Sequence, residues 1–202
     1  AARGAAGKGG DIQLLGHQVG LVNAAQVDAS GATGGGTVLV GGDYQGANAG
    51  VQNAFRTYVG PQSTITADAL QQGDGGKVIV WADDATRFYG SISARGGSQS
   101  GNGGFVETSG KEYLEANGSV DASAPAGLAG QWLLDPRNIT INTAGPTSGG
   151  TALPNFDATA DNAVVDRDDI QTSLNTGTNV TITTGSTGTQ AGNITVASAI
   201  AK

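Results

Sequence analysis

The stretch GDGGKVIVWADD, from Gly73 to Asp84, decides how the whole chain is read. Three glycines fall within four residues, an unbroken apolar run follows, and two aspartates close it. Three readings compete: a phosphate-binding glycine loop, a catalytic carboxylate pair, or one unit of a repeat. A Walker loop requires G-x-x-x-x-G-K-[ST]; Lys77 follows Gly76, but Gln71 and Val78 occupy the other diagnostic positions. A dinucleotide fingerprint needs a helix after its glycines, and here the run after them is strand-like. In an extended chain Asp83 and Asp84 point to opposite faces and cannot converge on one bond, so they read as solvated corner carboxylates.

The repeat reading accounts for residues on both sides. A glycine ending a small-residue doublet precedes a strand-like run at Gly10, Gly36, Gly76, Gly104 and Gly130, with spacings of 26, 40, 28 and 26. The 40 is one repeat plus about thirteen inserted residues. Two residues after each glycine stand Ile12, Val38, Val78, Val106 and Trp132; four after it stand Leu14, Val40, Val80, Thr108 and Leu134. The positions between are mixed, which predicts strands with one constant buried face. A second marker follows in each unit: Val27-Asp28-Ala29, Ile65-Thr66-Ala67, Ile92-Ser93-Ala94 and Val120-Asp121-Ala122. So short a repeat cannot bury its own apolar face. Stacked coils can, at about 4.8 Å per coil with like residues above like. The expected fold is all-β, a parallel β-helix (solenoid), with the glycines at corners that need positive φ or close backbone approach.

Composition narrows the function classes. The net charge is −7 with no basic block, which argues against nucleic acid and against anionic membrane surfaces. Glycine is 35 of 202 residues, far above the usual share of about 7%, and long helices are not expected. With no cysteine there is no disulfide or thiolate site. His17 is the single histidine and has no zinc-like spacing, so no metal, cofactor or catalytic residue is expected. The opening AARGAAGKGG lacks the apolar stretch of a signal peptide, so an exported chain would be an internal piece of something longer.

Coils are expected over residues 1–142, with a loop insertion at 43–63. The insertion carries Tyr44, Phe55, Arg56 and Tyr58, the candidate binding residues, because exposed aromatics beside arginine suit sugar or protein recognition. Prolines and glycines make 143–164 a loop or break. Over 165–202 a short helix near 167–176 and further coils are expected. Asp166, Asp168 and Asp169 serve as cap and dipole partners, Ile170 and Leu174 share a face, and Gly177 is the stop. An EF-hand loop is excluded because Ile170 falls where a ligand should be.

The phrases GDGGKVIVWADDATRFYGSISARGG, GNGGFVETSG, VDASA and GQWLLDPRNITI resemble the haemagglutination-type repeat region of filamentous haemagglutinin-like exoproteins, over about residues 10–142 and more weakly to the end. The resemblance implies a right-handed β-helix and a large adhesin exported by two-partner secretion, at the cell surface of or secreted by a Gram-negative bacterium. Implied partners are an outer-membrane transporter, through a region not in this chain, and surface glycans or proteins. The implied role is a non-enzymatic shaft supporting adhesion or biofilm. A self-associating filament or matrix subunit is one alternative, since exposed strand edges pair readily. A β-helical polysaccharide-degrading enzyme is the other, and its best acid pair would be Asp84 and Glu112 in neighbouring coils.

Overall fold

The computed structural model describes residues 1–143, 163–184 and 191–202. The first pass of the chain lays down β1 (Asp11–Leu14), β2 (Gln18–Leu21) and β3 (Gln26–Asp28). Later passes add β4 (Thr37–Val40), β5 (Arg56–Val59) and β6 (Thr64–Thr66), then β7 (Lys77–Ala82), β8 (Ala85–Phe88) and β9 (Ser91–Ser93). Next come β10 (Phe105–Gly110), β11 (Tyr113–Ala116) and β12 (Ser119–Asp121). Beyond them lie β13 (Gln131–Leu134), β14 (Ile139–Asn142), β15 (Ala163–Asp166), the helix α1 (Arg167–Thr176), β16 (Asn179–Ile182) and β17 (Ile194–Val196). Among the described residues the fold is all-β with one α-helix, and its strands form three parallel sheets.

Sheet one runs β1-β4-β7-β10-β13-β16. Its register aligns Ile12, Val38, Val78, Val106 and Trp132, as the repeat columns predict, and adds Val180 to that column. Val40, Val80 and Thr108 form the second column. Sheet three, β3-β6-β9-β12, aligns Val27, Ile65, Ile92 and Val120, which are the second marker. These columns and the inward residues of sheet two, such as Phe88 and Leu114, form one core. Thr108 is the polar member of its column, and Trp132 Nε1 donates to its Oγ1 at 2.9 Å inside that core.

Close approach, not positive φ, explains the repeating corner glycines. None of Gly36, Gly76, Gly104 and Gly130 has positive φ. A Cβ on Gly76 would lie 2.1 Å from the Gly36 carbonyl oxygen, and one on Gly104 would lie 2.1 Å from that of Gly76. Those same oxygens accept the ladder bonds from Lys77 N–H and Phe105 N–H, at 2.9 and 3.0 Å. Any side chain at the corner would separate neighbouring passes.

Two boundaries differ from expectation. The insertion is residues 41–55, not 43–63, because Arg56–Val59 alternates outward and inward as β5, paired to β2 and β8. Of the expected break at 143–164, residues 144–162 lie outside the described ones, and Ala163 and Val164 belong to β15.

Sheet two is also out of chain order, running β17-β14-β15-β11-β8-β5-β2. After β14 the chain returns to place β15 directly against β11. The helix and the residues just after it then cover the edge of sheet three: Ser173 Oγ accepts from Val120 N–H at 3.3 Å, and Thr178 Oγ1, past the helix, from Ala122 N–H at 2.8 Å. Its caps are as expected, with Asp166 accepting from Asp168 N–H at 2.8 Å and Gly177 in the left-handed region at φ 98°.

Candidate binding site under the insertion

Residues 41–55 leave sheet one at Gly41, whose φ of 79° and lack of Cβ are both required. A Cβ there would lie 2.1 Å from Thr57 Oγ1 and 2.3 Å from the Trp81 carbonyl oxygen. The loop folds back over the outer face of sheet one. Leu39, Ile79 and Trp81, on the face expected to meet solvent, are buried there with Val51 and Phe105 against them. The sequence signal was the unbroken Val78-Ile79-Val80-Trp81 run, since a strand covered on both faces loses its alternation.

Polar anchors hold the loop down. Asp43 accepts from Tyr44 N–H at 2.8 Å, Asn48 Nδ2 at 2.9 Å and Lys77 Nζ at 2.6 Å. Burial alone would raise this carboxyl, but the bonds from Asn48, Lys77 and Tyr44 outweigh it and bring its pKa down to about 2. Further along the same outer face, Glu107 is fully buried, and Gln45 N–H lies 3.2 and 3.3 Å from its two oxygens. Burial pushes the Glu107 pKa up to about 7; bonds from Gln45 and Ser109 oppose the rise, and the charge of Asp135 adds to it. Gln45 Nε2 donates to Asp135 Oδ2 at 2.6 Å, and Thr183 Oγ1 donates to Asp135 Oδ1 at 2.8 Å.

Between this loop and the corner joining sheets one and two lies a cleft of about 530 Å³. Gln45–Ala47 of the loop line it, with Trp81, Asp83, Lys111, Asp135 and Arg137 among the residues around them. Asp83 Oδ1 accepts from Asn53 Nδ2 at 3.0 Å and Trp81 Nε1 at 3.2 Å. Arg137 Nη1 bonds Glu112, while its buried Nε has no hydrogen-bond acceptor among the described residues. Lys111 is exposed and makes no ion pair among the described residues.

Of the four residues singled out from the sequence, Phe55 and Arg56 meet, while Tyr44 and Tyr58 pack on other partners. Tyr44 packs on Phe105, with ring centroids 5.8 Å apart. Phe55 stacks on His17 at 5.4 Å, and the Arg56 guanidinium lies 5.1 Å from the Phe55 ring while its Nε bonds Asp84 at 2.8 Å. Tyr58 is buried on the outer face of sheet two with Tyr89 and Tyr113. Asp83 and Asp84 are hydrogen-bonded rather than freely solvated. Asp84 and Glu112 are neighbours in adjacent passes, as expected, and each takes an arginine, from Arg56 and Arg137. Sequence reasoning placed Trp81, Glu107 and Asp135 in no site, because they meet the insertion only through stacking of separate passes.

In comparisons with known proteins, no family model matches the chain and no curated protein matches it.

Proposed function

We propose that the three parallel sheets wind as a right-handed parallel β-helix, and that this chain is a non-enzymatic shaft segment of a large secreted or surface-displayed bacterial adhesin. The observation that carries the reading is the register: Ile12, Val38, Val78, Val106, Trp132 and Val180 stand in one unbroken column, so each pass templates the next. Such a stack extends by about 4.8 Å per pass and makes a stiff spacer, the shape suited to carrying a contact site away from a cell. The phrases that resemble filamentous haemagglutinin-like repeats support export by two-partner secretion, through a transporter of the outer membrane. They also support an extracellular setting in which glycans or proteins of host or bacterial surfaces are the partners. The insertion is the one long excursion between sheets one and two among the described residues, and it gives the shaft a lateral contact site.

Beads coated with the folded chain test this reading. They should be retained on bacterial or epithelial cell surfaces, and soluble chain should compete them off. Absence of retention, or turnover of a polysaccharide by the purified chain, would overturn it.

A further inference from the structure

We propose that the groove along the corner between sheets three and one binds a neutral linear polysaccharide, which lies along the stack with about one sugar unit per pass. The proposal rests on the adhesive reading above for its setting, and names a second contact site with its ligand class. The groove has a volume of about 880 Å³, within the range of small-ligand sites, about 300–1,000 Å³.

Its floor is the column of corner glycines. Gly36, Gly76, Gly104 and Gly130 line it, each a position where a Cβ would strike the carbonyl oxygen of the preceding pass. The main chain of this floor is fully occupied. The four N–H groups donate to the carbonyls of Ala29, Ala67, Ala94 and Ala122 at 2.7–2.8 Å, and the four carbonyls accept from Lys77, Phe105, Gln131 and Asn179 at 2.9–3.0 Å. A peptide that binds by pairing its main chain with an open strand finds no partner there. What a ligand meets is a straight strip of backbone without side chains.

One wall supplies one side chain from each pass. Thr37, Lys77, Phe105, Gln131 and Asn179 stand in register along it. At about 4.8 Å per pass they cover about 19 Å. Gln131 Nε2 donates to Thr181 Oγ1 at 2.8 Å, and Asn179 Nδ2 donates to the Ala129 carbonyl at 3.2 Å. The oxygens of both amides are left as acceptors, and the Thr181 hydroxyl is left as a donor. The charges of the groove cancel. Lys77 is paired with Asp43 at 2.6 Å, and Lys8 and Asp74, which also line the groove, are of opposite sign.

These features match an extended glycan of diequatorially linked pyranoses. Such a chain is a flat ribbon with C–H groups on its faces and hydroxyls along its edges, and its units are close in length to the step between passes. The ribbon face suits the side-chain-free floor and the Phe105 ring. The edge hydroxyls, each both donor and acceptor, suit the amide oxygens and the threonine hydroxyl. With its charges cancelled, the groove favours neither a polyanion nor a polycation.

Isothermal titration of the full chain with cellohexaose, chitohexaose and β-linked mannohexaose tests the assignment, with the matching disaccharides, maltohexaose and hexagalacturonate as comparisons. At least one of the three extended hexaoses should bind, with little change as salt rises, and about tenfold or more tighter than its own disaccharide. Maltohexaose, whose linkage curves the chain, should bind more weakly by a similar factor. Gln131→Ala combined with Asn179→Ala should weaken hexaose binding about tenfold. Gln18→Ala, exposed on sheet two, should leave it unchanged. Amide resonances of Gly36, Gly76, Gly104 and Gly130 should shift together on binding, a readout that needs no variant. Equal affinity for hexaose and disaccharide, tighter binding of hexagalacturonate, indifference to the double substitution, shifts confined to residues 45–47, or no binding of the three hexaoses would each overturn the proposal. The bead assay separates it from the broader reading. Cell retention without hexaose binding removes the groove site and leaves the adhesin. Hexaose binding without cell retention removes the adhesin and leaves the groove site.

Discussion

The backbone N–H of Gln45 meets both carboxylate oxygens of Glu107, 62 residues away, at 3.2 and 3.3 Å. Gln45 does so from the left-handed region, at φ 52°, a conformation a non-glycine residue adopts at some cost. The contact fastens the insertion to the outer face of sheet one through a carboxyl that has no access to water. Around it stand Asp135 on one side and the Asp43–Lys77 pair on the other.

Stability depends on pH through this carboxyl. The Glu107 pKa is raised from an ordinary 4.5 to about 7 in the folded chain, mainly by burial, so folding favours the protonated acid. The stabilisation is fully present below about 4.5 and is lost as the pH rises through about 7. The chain should resist denaturant more strongly at pH 5 than at pH 8. Glu107→Gln should flatten that dependence. An unchanged pH profile in the variant would remove Glu107 as its source.

Burying a charge in the core column should separate inside from outside. Val78→Asp places an unpaired carboxylate among fully buried residues and should cost several kcal/mol, about 3–5, in thermal or denaturant unfolding. Lys77→Ala, one residue away, loses only the partly exposed pair with Asp43, about 1 kcal/mol or less. Lys77→Asp should be worse than Lys77→Ala, since it sets a like charge beside Asp43. Similar losses for Val78→Asp and Lys77→Ala would contradict the register.

Corner glycines should be irreplaceable for a steric reason. Gly104→Ala drives a Cβ to 2.1 Å from the Gly76 carbonyl oxygen and should lower stability by about 3 kcal/mol or more. Gly7→Ala meets nothing within 4 Å and should be neutral. A melting temperature unaffected by Gly104→Ala would show that neighbouring passes can separate at little cost.

The helix and the turn after it, which together end sheet three, should act through their side-chain acceptors. Thr178→Val keeps the shape but leaves Ala122 N–H without its 2.8 Å partner, a loss of about 1–3 kcal/mol by denaturant unfolding. Exchange at the Ala122 amide should quicken with it. Stability unchanged by this substitution would mean that the edge is held by packing alone.

Much of the fold was legible in the sequence because its determinants are local and recur. Val38, Val78 and Val106 sit at fixed distances after a glycine doublet, and any parallel stacking of equal units brings them into register. The helix was equally local, since Asp166, Ile170 and Gly177 act within its own turns. Even the length of the insertion could be counted from the spacing of 40 between Gly36 and Gly76.

Tertiary structure alone decided what lies above what where the units are unequal. No periodicity says that β15 passes between β11 and β14, because a strand's neighbour is chosen by the path of the chain and not by the strand's own pattern. The candidate site has the same origin. Gln45, Trp81, Glu107, Asp135 and Arg137 each read as an ordinary surface or strand residue in its own segment. The burial of Trp81 and Glu107, the raised Glu107 acid and the unmatched Arg137 Nε exist only once four passes are stacked and the loop lies across them. A repeating sequence specifies its core through short-range spacing, whereas a site on its flank is assembled from residues of different passes whose proximity only stacking creates.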